Sequence, residues 1–210
     1  MVEISISTLI SINTQFRFVL SHSPIVKVIE FFHIFLMFKH CSMTFHTTEE
    51  ITILAAYLGQ TKILRQKLRQ AKEKYPELFG DEMISVQTID MYQGDENKVV
   101  IVSLVRSGVD GIGFLDSLNR RCVAQSRAKC GLYFVGNIVT LSHKTNKHSG
   151  KVISTVWHPL IQAMTERGCV GAHIQTHCPD HPLVSKHALP DAESILAFLT
   201  KPESFCKVNF

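Results

Sequence analysis

The residue pattern predicts an α/β fold built on a mostly parallel sheet. Three observations carry this expectation. Residues 99–105 and 132–135 are unbroken apolar runs, as a strand covered on both faces requires. Segments of helical period alternate with such runs from about residue 16 to 142. The chain has 210 residues, 45% hydrophobic and 19% charged, which is a globular balance and long enough for a core without disulfides.

Taken in order, residues 16–20 read as a short strand, and Ser21-His22-Ser23-Pro24 as a turn into the next element. Residues 25–39 are apolar nearly all round and read as a buried helix, although their aromatic and β-branched content fits a strand as well. Residues 51–56 form a buried strand. Residues 60–75 are an amphipathic helix with Ile63, Leu64, Leu68 and Ala71 at helical spacing and Lys62, Arg65, Arg69 and Lys72 opposite. Pro76 and Gly80 end it. Residues 84–88 and 99–105 are strands joined by a Gly-containing turn. A helix follows within 116–129, with Asn119 as a candidate cap, and then the strand 132–135, stopped by Gly136. Residues 142–151 read as a polar loop and 156–167 as one short helix. From Gly168 onward the chain is rich in His, Cys and Pro and has no strong periodicity.

The formal charge of +4 permits a polyanionic partner without demanding one. The six cysteines include no CxxC pair, so reduced thiols are expected. The N-terminus lacks a basic region followed by an apolar run and a small-residue cleavage site, so no signal peptide is expected. Residues 25–38, the most apolar window, carry Lys27, Glu30 and His33 and fall short of the roughly 20 residues of a membrane span. An intracellular protein, cytoplasmic or nuclear and without a membrane partner, is expected.

Two segments bear chemistry. Thr88-Ile89-Asp90-Met91-Tyr92-Gln93-Gly94-Asp95-Glu96 leads into the strand at 99–105, and Cys122-Val123-Ala124-Gln125-Ser126-Arg127-Ala128-Lys129 leads into the strand at 132–135. Each puts polar groups beside a strand end, and ligands of such sheets favour the crevice at the carboxyl ends. Gly94 lets backbone approach a ligand, Glu96 can accept from a ribose hydroxyl, and Arg127 can reach a transferring phosphate. By spacing alone, a tight turn and a surface arginine would look the same.

These residues carry a resemblance. Tyr92-Gln93-Gly94-x-Glu96 with its following strand, and Val123-Ala124-x-Ser126-Arg127-Ala128-Lys129, resemble motifs V and VI of the superfamily 1 helicases. Between them, Asp110-Gly111-Ile112-Gly113-Phe114-Leu115 is similar to the Gly-x-Gly-Phe-Leu loop of the branch containing the nonsense-mediated-decay helicase and the NFX-type zinc-finger helicases. Residues 50–60, a strand ending in Tyr57-x-x-Gln60, resemble motif IV. Cys122-Val-Ala-Gln-Ser-Arg fits the zinc-finger helicases better than the usual Asn-Val-Ala-Leu-Thr-Arg. The resemblance spans residues 16–142 and implies the second RecA-like lobe, of P-loop NTPase fold, bounded by an unassigned segment 1–15 and by residues 143–210 as a polar linker, short helix and Cys/His-rich tail.

The resemblance implies a lobe of an ATP-dependent RNA helicase, with roles in RNA silencing or surveillance. Arg127 would be the arginine finger. Glu96 would contact the ribose, Gln93 and Gly94 would line the cleft, and Gln60 would be a weaker nucleotide contact. Thr88, Tyr57 and Arg106 would face single-stranded RNA. ATP and Mg²⁺ would be the cofactors of the two-lobed enzyme. The chain contains no G-x-x-x-x-G-K-[ST]: around Gly150-Lys151 the pattern fails at Thr145 and Val152. No Asp-Glu pair follows a buried strand, so a partner lobe in cis or trans would have to supply the P-loop, and hydrolysis by this chain alone is not expected. A non-catalytic RNA- or protein-binding module and an unrelated phosphotransfer domain remain alternatives. In the tail, Cys178 and His181 have a ligand-like spacing, but the surrounding Cys and His are irregular and no complete zinc site is expected.

Overall fold

The computed structural model describes residues 15–20, 48–74, 76, 83–104, 112–146, 149–171, 174–176 and 187–189. The expected helix at 25–39, Arg106, Cys178 and His181 lie outside the described residues.

Six strands form one parallel sheet. They are β1 (Gln15–Leu20), β2 (Ile51–Ala55), β3 (Ser85–Thr88), β4 (Asn97–Leu104), β5 (Ala128–Gly136) and, later in the chain, the two-residue Val170–Gly171. Their order is β3-β2-β4-β5-β1, with Val170–Gly171 beyond β1. The helices are α1 (Leu58–Lys74), α2 (Leu118–Gln125), α3 (Ile138–Ser142) and α4 (His158–Glu166). This is the mostly parallel α/β sheet that the alternating pattern implies, and it has the RecA-like character that the motif resemblance implies.

Both faces of the sheet are covered, which is why its central strands have no polar alternation. Side chains point to opposite faces in turn. Leu54, Val100, Val102, Leu104, Leu132 and Phe134 share one core with Ala124 of α2, Leu160, Ile161 and Met164 of α4, and Trp157. Ile51, Ile53, Val99, Ile101, Tyr133 and Val135, on the alternate positions, are buried as well. Helix α1 packs on β2 and β3 through Leu64, Leu68 and Ala71. Trp157, fully buried, donates its indole N–H to the Leu115 carbonyl at 2.8 Å and meets Phe134 edge-on at 5.7 Å.

Several expectations are corrected. Ile63 is exposed: Thr61, Leu64, Leu68 and Ala71 make the buried stripe, and Ile63 is turned about 100° from Leu64. Helix α2 begins at Leu118, so Ser117 holds the cap position and Asn119 lies inside the first turn. Where a polar loop is expected at 142–151, β6 (His143–Thr145) pairs with β7 (Val152–Ser154), just beyond that span, as an antiparallel hairpin. Lys144 pairs with Asp116 at its base, and Thr155 donates to the Leu141 carbonyl.

The connection from β3 to β4 positions the site. Both strands flank β2 and run parallel to it, with Ala55 level with Thr88 on one side and Ile51 level with Val99 on the other. Residues 89–96 therefore travel back across β2, from the carboxyl edge of the sheet to its amino edge. Ile89 and Tyr92 are buried in this passage. The Tyr92 hydroxyl hydrogen-bonds the buried Thr52 hydroxyl at 3.2 Å, and the Asn97 side-chain amide donates to Thr52 Oγ1 at 3.0 Å and to the Glu49 carbonyl at 2.9 Å.

Candidate functional site

The candidate residues fall into two groups at opposite edges of the sheet. Glu96 immediately precedes β4 and Arg127 immediately precedes β5, so both stand at the amino edge. This corrects the expectation of a crevice at the carboxyl ends. The physical reason is the return of residues 89–96 along β2, which delivers Glu96 to the start of a strand.

At this edge two loops are fastened to each other. The Asn97 N–H donates to the Arg127 carbonyl at 3.0 Å. Arg127 Nη1 donates to the Asp95 carbonyl at 3.3 Å, while its Nε and Nη2 reach Ser126 Oγ at 3.1 and 2.8 Å. Among the described residues the guanidinium is thus oriented by neutral oxygens rather than cancelled by a carboxylate. Gly94 makes the turn with φ +102°, and no atom lies within 4 Å of where a Cβ would stand, so the loop offers bare backbone to an incoming group. Glu96 pairs with Lys129 at 2.6 Å, with both side chains more than half exposed. Such a pair contributes about 0–1 kcal/mol and exchanges readily for another partner. Gln93 is exposed beside it.

A register shift accompanies the site. Two steps along β4, from Asn97 to Val99, face three along β5, from Ala128 to Gly131. The extra residue leaves Lys129 and Cys130 exposed directly after Arg127. Bulges commonly re-aim side chains beside functional sites.

The carboxyl edge holds Tyr57, Gln60 and Thr88. Thr88 Oγ1 accepts from the Met91 N–H at 3.3 Å, and the Tyr57 hydroxyl donates to the Ile112 carbonyl at 3.4 Å. Gln60, in the first turn of α1, is half-buried. The strand register sets it roughly 20 Å from Glu96 and Arg127, at about 3.3 Å per residue. The structure does not bring Gln60 together with the other candidate nucleotide contacts.

Asp90, Phe114 and Arg120, to which the motifs assign no role, come together at this edge. Arg120 forks onto Asp90 (Nε–Oδ1 2.8 Å, Nη2–Oδ2 2.9 Å) and donates through Nη1 to the Phe114 carbonyl at 3.2 Å. Its guanidinium carbon lies 3.3 Å from the centre of the Phe114 ring. Phe114 in turn sits 6.0 Å from Tyr57, tilted by 44°. Nothing in the local pattern around Asp90 or Phe114 announces this tertiary cluster.

On α1, Lys62, Arg65 and Arg69 are exposed and Lys72 is half-buried. Arg65 donates to the Val86 carbonyl, so it helps hold β3. Among the described residues no three His, Cys, Asp or Glu side chains gather as metal ligands, and no helix is long and apolar enough to cross a membrane. Cys122, Cys130 and Cys169 are free thiols.

Comparison with known proteins places this arrangement. Residues 12–139 match the model of the AAA domain family. The human NFX1-type zinc finger-containing protein 1 is 38% identical over 160 residues, covering 76% of this chain and 7% of the human protein. The Helicase required for RNAi-mediated heterochromatin assembly 1 of Schizosaccharomyces pombe is 40% identical over 92 residues, covering 42% of this chain and 8% of its own length. The Drosophila melanogaster Regulator of nonsense transcripts 1 homolog is 38% identical over 90 residues, with the same two coverages. The chain therefore spans less than a tenth of the length of these relatives.

Proposed function

We propose, from the premise that the chain belongs to the superfamily 1 helicases through the AAA domain that residues 12–139 match, that it serves as the second lobe of an ATP-dependent RNA helicase. One observation carries this reading: Arg127 and Glu96 converge on the amino edge, with the guanidinium held by the Asp95 carbonyl and Ser126 and, among the described residues, left without a carboxylate partner.

The residues present fit a nucleotide. A fixed cation, an exposed carboxylate and a bare glycine turn supply the donor, the acceptor and the space that a triphosphate and its ribose need. Bound ATP would supply the phosphoryl group whose hydrolysis drives lobe movement. Arg127 would set its positive charge against the terminal phosphate and stabilise charge developing there. Glu96 would release Lys129 and accept from the ribose hydroxyls. Gln93 and Gly94 would line that wall. No cluster of metal ligands stands among the described residues, and a P-loop-bearing lobe, in cis or in trans, would hold the Mg²⁺. Thr88 and Tyr57 would meet single-stranded RNA at the opposite edge. Residues 16–142 would form the lobe, and 143–210 its linker and tail. The protein would act inside the cell, in the cytoplasm or nucleus, and in RNA silencing or surveillance, since two of its relatives are named for RNAi-mediated heterochromatin assembly and for nonsense transcripts.

The test is Arg127→Ala in the two-lobed assembly. ATP turnover should fall by about 10³- to 10⁵-fold with thermal stability retained. Turnover close to that of the parent would sink the assignment. The alternative is a non-catalytic RNA- or protein-binding module derived from a helicase. RNA affinity indifferent to nucleotide, with or without a P-loop lobe, would mark it.

A further inference from the structure

Most exposed apolar side chains need no explanation, because they are scattered. Here they are not. Leu58, Met91, Phe114 and Leu118 all stand exposed at the carboxyl edge, close in the chain to Tyr57, Thr88 and Arg120. Phe114 is the one aromatic among the large exposed apolar residues of the described set. A cluster of this kind marks a binding surface.

Its chemistry narrows the ligand. The Arg120 guanidinium lies flat enough on Phe114 to bring its central carbon 3.3 Å from the ring centre, and the fork onto Asp90 fixes its plane. That fork also commits the arginine's charge to a carboxylate, so Arg120 is poorly placed to serve as a phosphate clamp. What remains is a preorganised pair of planar groups, buttressed by Tyr57. Flat π surfaces beside a hydroxyl-bearing strand end suit a nucleobase. The basic stripe of α1 has no interleaved aromatic of its own, and the loop after β4 supplies one from elsewhere in the chain.

We propose that Phe114, stacked on Arg120, is a base-stacking platform that takes one unpaired base of single-stranded RNA as the strand passes Thr88. The proposal rests on the reading of this edge as an RNA-facing one. Aromatic stacking is sequence-tolerant, because every base has a π face, and this suits a protein that moves along RNA. Met91 and Leu118 would shield the stacked base from water.

The experiment uses the 210-residue chain and a ten-nucleotide oligouridylate with a single 2-aminopurine, placed at each position in turn. Stacking on a ring quenches 2-aminopurine, whereas phosphate contacts do not. Quenching on binding is expected at one register. Phe114→Ala should remove it and weaken binding roughly 5- to 100-fold, and Phe114→Trp should restore both. An abasic nucleotide at the same register should cost the parent chain a similar factor and the Phe114→Ala variant almost nothing. RNA that binds with no quenched register, or binds Phe114→Ala as tightly as the parent, would overturn the platform while leaving the RNA-facing reading intact, and the apolar cluster would then belong to a protein partner. If the parent chain does not bind the oligonucleotide at all, both fall together.

Discussion

The Thr52–Tyr92 hydroxyl pair fastens the returning segment 89–96 across β2, and it can be tested by a double-mutant cycle. Tyr92→Phe removes one hydroxyl and leaves Thr52 still accepting from Asn97 at 3.0 Å. It should cost about 1 kcal/mol, the net value of one hydrogen bond. Thr52→Val keeps the side-chain shape but strands the Tyr92 hydroxyl in a residue only 4% exposed. Asn97 keeps its bond to the Glu49 carbonyl. The expected cost is about 2 kcal/mol, because a buried polar group is left without its partner. In the double variant no hydroxyl is stranded, and the loss of the Asn97–Thr52 bond is common to both Thr52→Val variants, so its cost should stay near 2 kcal/mol, a coupling of about 1 kcal/mol. Trp157 is the only tryptophan and is fully buried, so its fluorescence reports urea unfolding directly. With a slope of roughly 2–3 kcal/mol per molar urea, each kcal/mol moves the midpoint by about 0.4 M. Costs that add to within about 0.3 kcal/mol would refute the pairing and, with it, the proposed anchoring of the loop that carries Glu96.

Two further outcomes follow from packing and charge. Gly136→Ala would bring its Cβ to 2.9 Å from both the Cβ and the carbonyl oxygen of Leu104. Neither atom can turn away, so a loss of about 2 kcal/mol and a fall in melting temperature of about 4–8 °C are expected in a thermal melt. On α1, replacing Lys62 and Arg69 with Gln should leave RNA affinity and its salt dependence unchanged if this face is simply solvated. A log–log salt slope shallower by about 1.4 would instead place both side chains on phosphates.

The sheet and its covering helices could be read from the chain because apolar runs such as 99–105 have one economical use, as strands buried on both faces. The order of the strands could not. Which side of β2 receives β3 depends on the path of residues 89–96, and their composition only suggests a turn. The same path explains why the amino edge went unforeseen as the home of Glu96 and Arg127. Motif resemblance pointed to those two residues, yet the neutral oxygens that aim Arg127, from Ser126 and the Asp95 backbone, become visible only when the loops meet. The Asp90–Arg120 pairing is hidden for a related reason: it spans 30 residues of sequence. Ile63 misled because residue type was allowed to outweigh angular position on the helix.

The place of β1 in the sheet has a consequence for synthesis. Its partners are residues 131–136 on one side and Val170–Gly171 on the other. A ribosome adding about 5–20 residues per second needs on the order of ten seconds to deliver the first of them. During that interval β1 has no sheet to join, while the β2–α1–β3 unit can already close on neighbouring contacts. Late insertion of an early strand makes for slow folding, since a long loop must close before the pairing is rewarded. Nascent chains should therefore depend on chaperones until β5 has emerged, and a circular permutant that places β1 after β5 should escape much of that dependence.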